Sequence, residues 1–221
     1  MKKNKSVSIL LLLIVAAMIF TSGCGILSLN KKNYVKAYLD AGYKGEVKKY
    51  AKLTDTSEEL LLENYEEGMK ESAIQIAAMF GITSEQITDN LQIAMESFCK
   101  KLYKKASYRI TDIKQPDKDK EIYEVTVSVK PITVFEDASS DVNKAIEKLQ
   151  EETEEGTYNE LMEDAYAEVY GKTVIEAMEP HIENTSYGDE TAVTVRVEEA
   201  EEGIYKINEE DLQVLDEAII Q

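Results

Sequence analysis

The stretch "EIYEVTVSVKPI" (Glu121–Ile132) decides the fold. Tyr123, Val125, Val127 and Val129 alternate with Glu124, Thr126, Ser128 and Lys130. A period of two sends the first set to one face of an extended chain and the second to the other, so one face is packed and one is wet. Just upstream, "SYRITDIK" (Ser107–Lys114) also reads as a strand, and "QPDKDK" (Gln115–Lys120) between them is a loose hairpin turn. Much later, "ETAVTVRVEEAEEGIYKI" (Glu190–Ile207) repeats the device, with Val193, Val195 and Val197 inward and Gly203 near the turn. The two hairpins are expected to join as one four-stranded antiparallel sheet.

Helical spacing fills the rest. In "YVKAYLDAGYKG", Tyr34, Val35, Tyr38 and Leu39 share a stripe that Gly42 or Gly45 ends. Thr56 stands three before Glu59 and Thr83 three before Gln86, two capping boxes that open the next helices. The second of these helices carries Leu91, Met95, Phe98, Cys99 and Leu102 on one face. After the first hairpin, one helix is expected over about Asp141–Glu154, on Val142, Ala145, Ile146 and Leu149. Another is expected over about Tyr158–Met178, on Leu161, Met162, Ala165, Val169 and Thr173, with Pro180 as its stop. Asn208 caps a last helix in which Leu212, Leu215 and Ile219 return to the core. The fold class is α+β: a helical N-terminal third, two β-hairpins forming an antiparallel sheet covered by helices, and a C-terminal helix. No repeat and no Pro- or Gly-rich linker divides residues 34–221, which read as a single α+β domain.

Charge is uneven. Residues 24–135 hold 17 basic and 17 acidic side chains, whereas residues 136–221 hold 5 basic and 26 acidic. An acidic surface of that kind repels phosphate backbones, so no nucleic-acid partner is expected. Its simplest use is to keep the chain soluble.

Chemistry-bearing motifs are scarce. His181 is the sole histidine, expected in a polar loop after Pro180, and one imidazole builds neither a metal site nor a triad. Asp117, Asp119 and Glu121 alternate as calcium ligands do, but Lys118 and Lys120 interleave them and the glycine and distal glutamate of an EF-hand are missing. Glu160, Glu163, Asp164 and Glu168 sit on a helix, where acids face solvent. Cys99 lies on an apolar face and reads as a core thiol. Thirteen tyrosines without a tryptophan are unusual. The pairs Tyr34/Tyr38 and Tyr166/Tyr170 either line a groove for a sugar or peptide or pack between helix and sheet, and packing is the simpler account. No catalytic residue, metal ligand or cofactor is therefore assigned, ligand-binding residues stay unassigned, and the chain is not expected to be an enzyme.

The N-terminus carries an address. Lys2, Lys3 and Lys5 precede an apolar run from Ile9 to Phe20, then Thr21, Ser22, Gly23 and Cys24. A basic region, about a dozen apolar residues and a small-residue exit describe a secretory signal peptide. Gly23-Cys24 resembles the lipobox of bacterial lipoproteins, with Thr21 where leucine is usual. That resemblance implies cleavage before Cys24 and a diacylglyceryl thioether on its sulfur. Residues 1–23 are then the lipoprotein signal peptide and residues 24–33 the lipidated Cys24 and tether. An uncleaved membrane-spanning anchor is the alternative.

Together with Cys24, "YVKAYLDAGYKGEVKKY" (Tyr34–Tyr50) and "EEGIYKINEEDLQVLDEAI" (Glu201–Ile219) resemble uncharacterised surface lipoproteins of Gram-positive, clostridia-like bacteria. The terminal strand, turn, strand and helix also resemble the end of NTF2-like and cystatin-like domains, with Tyr205 at the aromatic position where those folds place a tryptophan. The resemblance implies a domain on the extracytoplasmic face of the cell membrane, held there by its lipid anchor, and brings no catalytic residues. The expectation is a binding or accessory domain that contacts a membrane or cell-wall protein. A small-ligand or glycan receptor with a tyrosine-lined pocket is the alternative. Lys31, Lys32 and Lys36 lie beside the anchor, so the acidic C-terminal half is expected to point away from the membrane.

Overall fold

A computed structural model describes residues 30–117, 121–154, 156, 163–201 and 204–220. The strands β1 (Ser107–Asp117), β2 (Ile122–Lys130), β3 (Thr191–Glu201) and β4 (Ile204–Ile207) form one antiparallel sheet in the order β1-β2-β3-β4. The period-two reading of β2 holds across the register. Tyr123 pairs with Val197, Val125 with Val195 and Val127 with Val193, which stacks the valines of two strands on one face. On β1, Thr111 is an extra residue between the Ile110–Val127 and Asp112–Thr126 pairs. This bulge keeps Ile110 and Ile113 on the same face although they are three apart. The opposite face carries Lys114, Glu124 and Arg196 side by side across three strands and stays wet.

Helix α1 (Lys31–Lys44) is buried along most of its length. Asn30 caps its start, its side chain accepting from the Asn33 N–H at 3.1 Å, and Gly45 at φ 69° ends it. Gly45 is required there twice over: the backbone is left-handed, and a Cβ would stand 2.9 Å from the Tyr65 ring. Lys31–Asn33, expected in a tether over residues 24–33, belong to α1. The short helix α2 (Val47–Thr54), absent from the sequence reading, turns back and places Tyr50 against Tyr34 and Tyr38.

Helices α3 (Glu58–Met79) and α4 (Asp89–Tyr103) follow, each beginning later than its capping box predicts. Ser57, not Thr56, caps α3. Thr83 and Gln86 do form their box, but it closes only a single 3-10 turn, and Thr88 caps α4. Helix α5 (Val134–Glu154) starts well before Asp141, three residues after Pro131, with Val134 and Ala138 buried. Helix α6 (Glu163–Glu183) runs through Pro180 instead of stopping at it. A proline this close to the C-terminus forfeits one backbone bond, and Asn184 then closes the helix by donating to the Pro180 carbonyl from its backbone at 3.1 Å and its side chain at 3.0 Å. Leu161 and Met162 lie outside the described residues, as do Gly203 and Cys24.

Helix α7 (Glu209–Ile219) starts at Asn208, whose side chain accepts from the Asp211 N–H, as the sequence predicts. Leu212, Leu215 and Ile219 are buried. Asp211 reaches back to the Arg196 N–H at 2.8 Å, so where β4 stops, a side chain satisfies the edge of β3. A hydrophobic core drawn from all seven helices and all four strands lies between the valine face and the helices.

Candidate functional site

The polar groups that pack into this core gather along α1. At its first turn, the Tyr34 hydroxyl donates to the Tyr205 carbonyl at 2.6 Å and lies 3.4 Å from the Tyr50 hydroxyl. The Tyr38 ring meets Tyr50 edge-on, with centroids 5.5 Å apart. Two turns on, Tyr43 stacks on Tyr103 at 5.9 Å and donates its hydroxyl hydrogen to Asp216 of α7. Burial pushes the Tyr34, Tyr38, Tyr43 and Tyr103 hydroxyls well above their ordinary range, and lifts Tyr50 to about 12. These phenols stay protonated and serve as donors and packing rings. The first tyrosine pair of the sequence reading is thus core packing, while Tyr166 and Tyr170 on α6 are half-buried.

Asp216 is the group that sequence reasoning missed. It stands one residue after Leu215 and four after Leu212, inside the apolar stripe of α7, and that misplaced acid was the available signal. Burial raises its carboxyl to about 7, against the opposing pull of the Tyr43 hydrogen bond. A carboxyl raised in this way marks active sites elsewhere, and this one is held inside the core, 7% exposed.

Cations line the outer rim of α1. Lys31 is 9% exposed, and its ammonium lies 3.8 Å from the Tyr205 ring centroid and 4.6 Å from that of Tyr123. Its pKa is lowered by desolvation, which Glu121 and Glu199 oppose. At the other end of the helix, Lys36 binds both oxygens of Asp40 at 2.9 and 2.7 Å, and the Tyr108 hydroxyl donates to the same carboxylate at 2.9 Å. Lys44 stands 4.7 Å over the Tyr108 ring.

The remaining sequence candidates separate. His181 sits on α6, not in a loop. It is half-buried, 3.1 Å from Asp141 of α5, whose carboxyl is lowered by Lys144 and by His181. Glu168 accepts from Thr88 and from Lys172 at 2.6 Å, and Glu163 from Gln86 at 2.8 Å, so these acids fasten α6 to the α4 region. Cys99 is fully buried, and burial lifts its thiol to about 12, as a core thiol requires. The Asp117–Glu121 loop lies largely outside the described residues, and among those described no group of three metal-ligating side chains converges.

The surface carries depressions open to solvent. A small one of about 70 Å³ lies at the start of β1, where Glu190 accepts from Ser128 and Arg109. A larger one, about 690 Å³, is a shallow groove along the α3–α4 pair, where Leu62, 43% exposed, lies among Glu59, Glu63, Glu66, Glu67, Glu96 and Lys70. Lys100 pairs with Glu66 at its side.

The arrangement defines an α+β domain whose helices cover one face of a four-stranded meander. No known protein family matches the chain, and no curated protein does. Among solved structures it is similar to the crystal structure of a "putative lipoprotein (ycdA)" from Bacillus subtilis subsp. subtilis str. 168, with a TM-score of 0.58 and 16% identity. The match covers 86% of this chain and 56% of that one, so this chain spans a little over half of its neighbour's length. At that identity the likeness shows a shared fold. Among the described residues, no helix is long and apolar enough to cross a membrane.

Proposed function

We propose that the chain is a lipoprotein of the cell envelope: Cys24 anchors it to the extracytoplasmic face of the membrane, and the domain binds an envelope protein without chemistry of its own. One observation carries the binding reading. The α1 tyrosines and the buried carboxyl are consumed in packing, while the α3–α4 groove opens to solvent with an exposed leucine among five glutamates and Lys70. A groove of that make-up suits a basic segment with an apolar residue at its centre, the glutamates steering it and Leu62 seating it. The fold shared with a Bacillus protein described as a lipoprotein supports the anchor, as does the Gly23-Cys24 pattern. Fold alone assigns no partner.

The test is in-cell photo-crosslinking from position 62 of the full chain, in wild type, Cys24→Ala and Glu63→Lys/Glu67→Lys backgrounds. A discrete envelope protein captured by the wild type, and lost in both variants, is the expected result. Lipid uptake on Cys24 with no polypeptide trapped would overturn the protein-partner reading in favour of a small ligand or glycan.

A further inference from the structure

The charge halves of the sequence do not survive as halves of the molecule. Strands β3 and β4 belong to the acidic part, yet they share a sheet with β1 and β2, and Tyr205 of β4 joins Tyr123 of β2 in closing on Lys31. The sheet fixes this cage. Glu199 and Tyr205 are a cross-strand pair, and the Glu199 N–H donates to the Glu121 carbonyl at 3.2 Å. The Tyr123 hydroxyl donates to the Glu121 carboxylate at 2.7 Å, and the Tyr205 hydroxyl lies beside the same carboxylate. Lys31 is a poor match for what surrounds it. Its ammonium carries three N–H donors, yet among the described residues no hydrogen bond or ion pair receives them. Ring faces hold it instead, at 3.8 and 4.6 Å from their centroids. The first residue of a helix is also where the macrodipole opposes a cation.

We propose that the Tyr123–Tyr205 cage is a binding site for a quaternary ammonium group, the trimethylammonium of a small solute or of a lipid headgroup, with Lys31 as its displaceable resident. The missing acceptors carry the argument. A primary ammonium is strongly hydrated and loses that water on entering the cage without gaining a hydrogen bond. A trimethylammonium has no N–H to satisfy, spreads its charge over methyl groups and packs them against ring faces. Glu121 and Glu199 supply the field: against the single charge of Lys31 they leave the cage net negative, and more so once the lysine swings out. Both glutamates are exposed and Tyr123 is half-buried, so the cage meets the surface, and the long lysine stem lets the ammonium move aside into water. The site is separate from the α3–α4 groove and does not depend on Cys24.

The experiment titrates the full chain, with carbon-13 in its tyrosine rings and held in maltoside micelles, with tetramethylammonium and with ammonium at matched ionic strength. Tetramethylammonium should shift the Tyr123 and Tyr205 ring signals saturably at millimolar concentration, and ammonium should leave them in place. Lys31→Ala, which empties the cage, should tighten binding about tenfold. Tyr205→Leu, which keeps an apolar side chain on β4, should abolish it. The wild-type titration decides the matter even where a variant fails to fold. Choline and phosphatidylcholine nanodiscs then separate the two sources: a response to choline alone supports a solute, and a response to phosphatidylcholine but not phosphatidylglycerol supports a lipid headgroup. No saturable shift at these two rings, an equal response to ammonium, or a folded Lys31→Ala that binds no tighter than the wild type would overturn the proposal.

Discussion

The tyrosine seam between α1, α2, α4, α7 and the sheet differs from the acidic α5–α6 pair in how each is held. In the seam, Tyr34, Tyr43, Tyr50, Tyr103 and Phe98 are each no more than 2% exposed, and their hydroxyl groups and rings interlock elements far apart in sequence. The α5–α6 pair is joined by small and aliphatic residues such as Ala138, Val142, Ala167 and Val174, with its outer surface charged. Large rings fill space that only one arrangement satisfies, whereas a thin aliphatic seam tolerates adjustment. The seam should therefore set global stability and the pair should open first.

Truncation is the harshest way to break that contrast. Phe98→Ala, inside the main core, should cost about 3–5 kcal/mol in urea denaturation. Leu149→Ala should cost about 2 kcal/mol, because Leu149 is buried on α5 yet stands outside the main core cluster among the described residues. Hydrogen exchange in the Leu149 variant should speed up over α5 and α6 alone. Equal losses for the two substitutions would mean that the regions unfold as one unit.

Asp216 gives the seam a dependence on pH opposite in sign to that of Asp141 and Glu168 in the acidic pair, whose carboxyls are lowered. Its carboxyl is raised from 3.8 to about 7, so the folded state holds a proton that the unfolded state has released. Its contribution is fully present below about pH 4, is lost as pH rises towards 7, and stays lost above that. At 1.36 kcal/mol per pH unit the loss has a ceiling on the order of 4 kcal/mol. Asp216→Asn keeps an acceptor for Tyr43 and removes the titration. Between pH 5 and 8 the wild type should lose stability while the variant stays nearly level. Parallel curves for the two proteins would show that Asp216 is already ionised at pH 5.

The same contrast governs what the sequence made readable. Sheet order, valine face, Asn208 cap and buried Cys99 follow from period, capping chemistry and apolar spacing, all of them local. The long α5 was missed at its start because Val134, Phe135 and Ala138 precede the stretch where helical spacing is clear, and the strand pattern runs on through Ile132. Pro180 misled because its cost depends on how many backbone bonds lie beyond it, which a sequence does not state. Lys31 and Asp216 were beyond reach in a different way. Each acquires its meaning from rings contributed by distant elements, Tyr205 and Tyr123 for one and Tyr43 for the other. Of the α3–α4 groove, the sequence reading singled out neither Leu62 nor its glutamates as a site, because that they lie together with Glu96 of α4 is tertiary information.

Gly171 joins the two regions and offers the smallest effect, with two opposing contributions. A Cβ there would stand 2.6 Å from Leu91 Cδ1 and 3.1 Å from Ile82 Cδ1, both on buried side chains of the α4 region. Alanine in mid-helix should stabilise α6 by about 1 kcal/mol through propensity. Forcing α6 off Leu91 should cost about 1–3 kcal/mol, since Leu91 is fully buried and has little room to rotate away. The net expectation for Gly171→Ala is a loss of about 1 kcal/mol, seen as a lower urea midpoint, with faster amide exchange in α6 than in α1. A gain in stability would mean that Leu91 yields without cost, and that the α4–α6 seam is as adjustable as the aliphatic pair it supports.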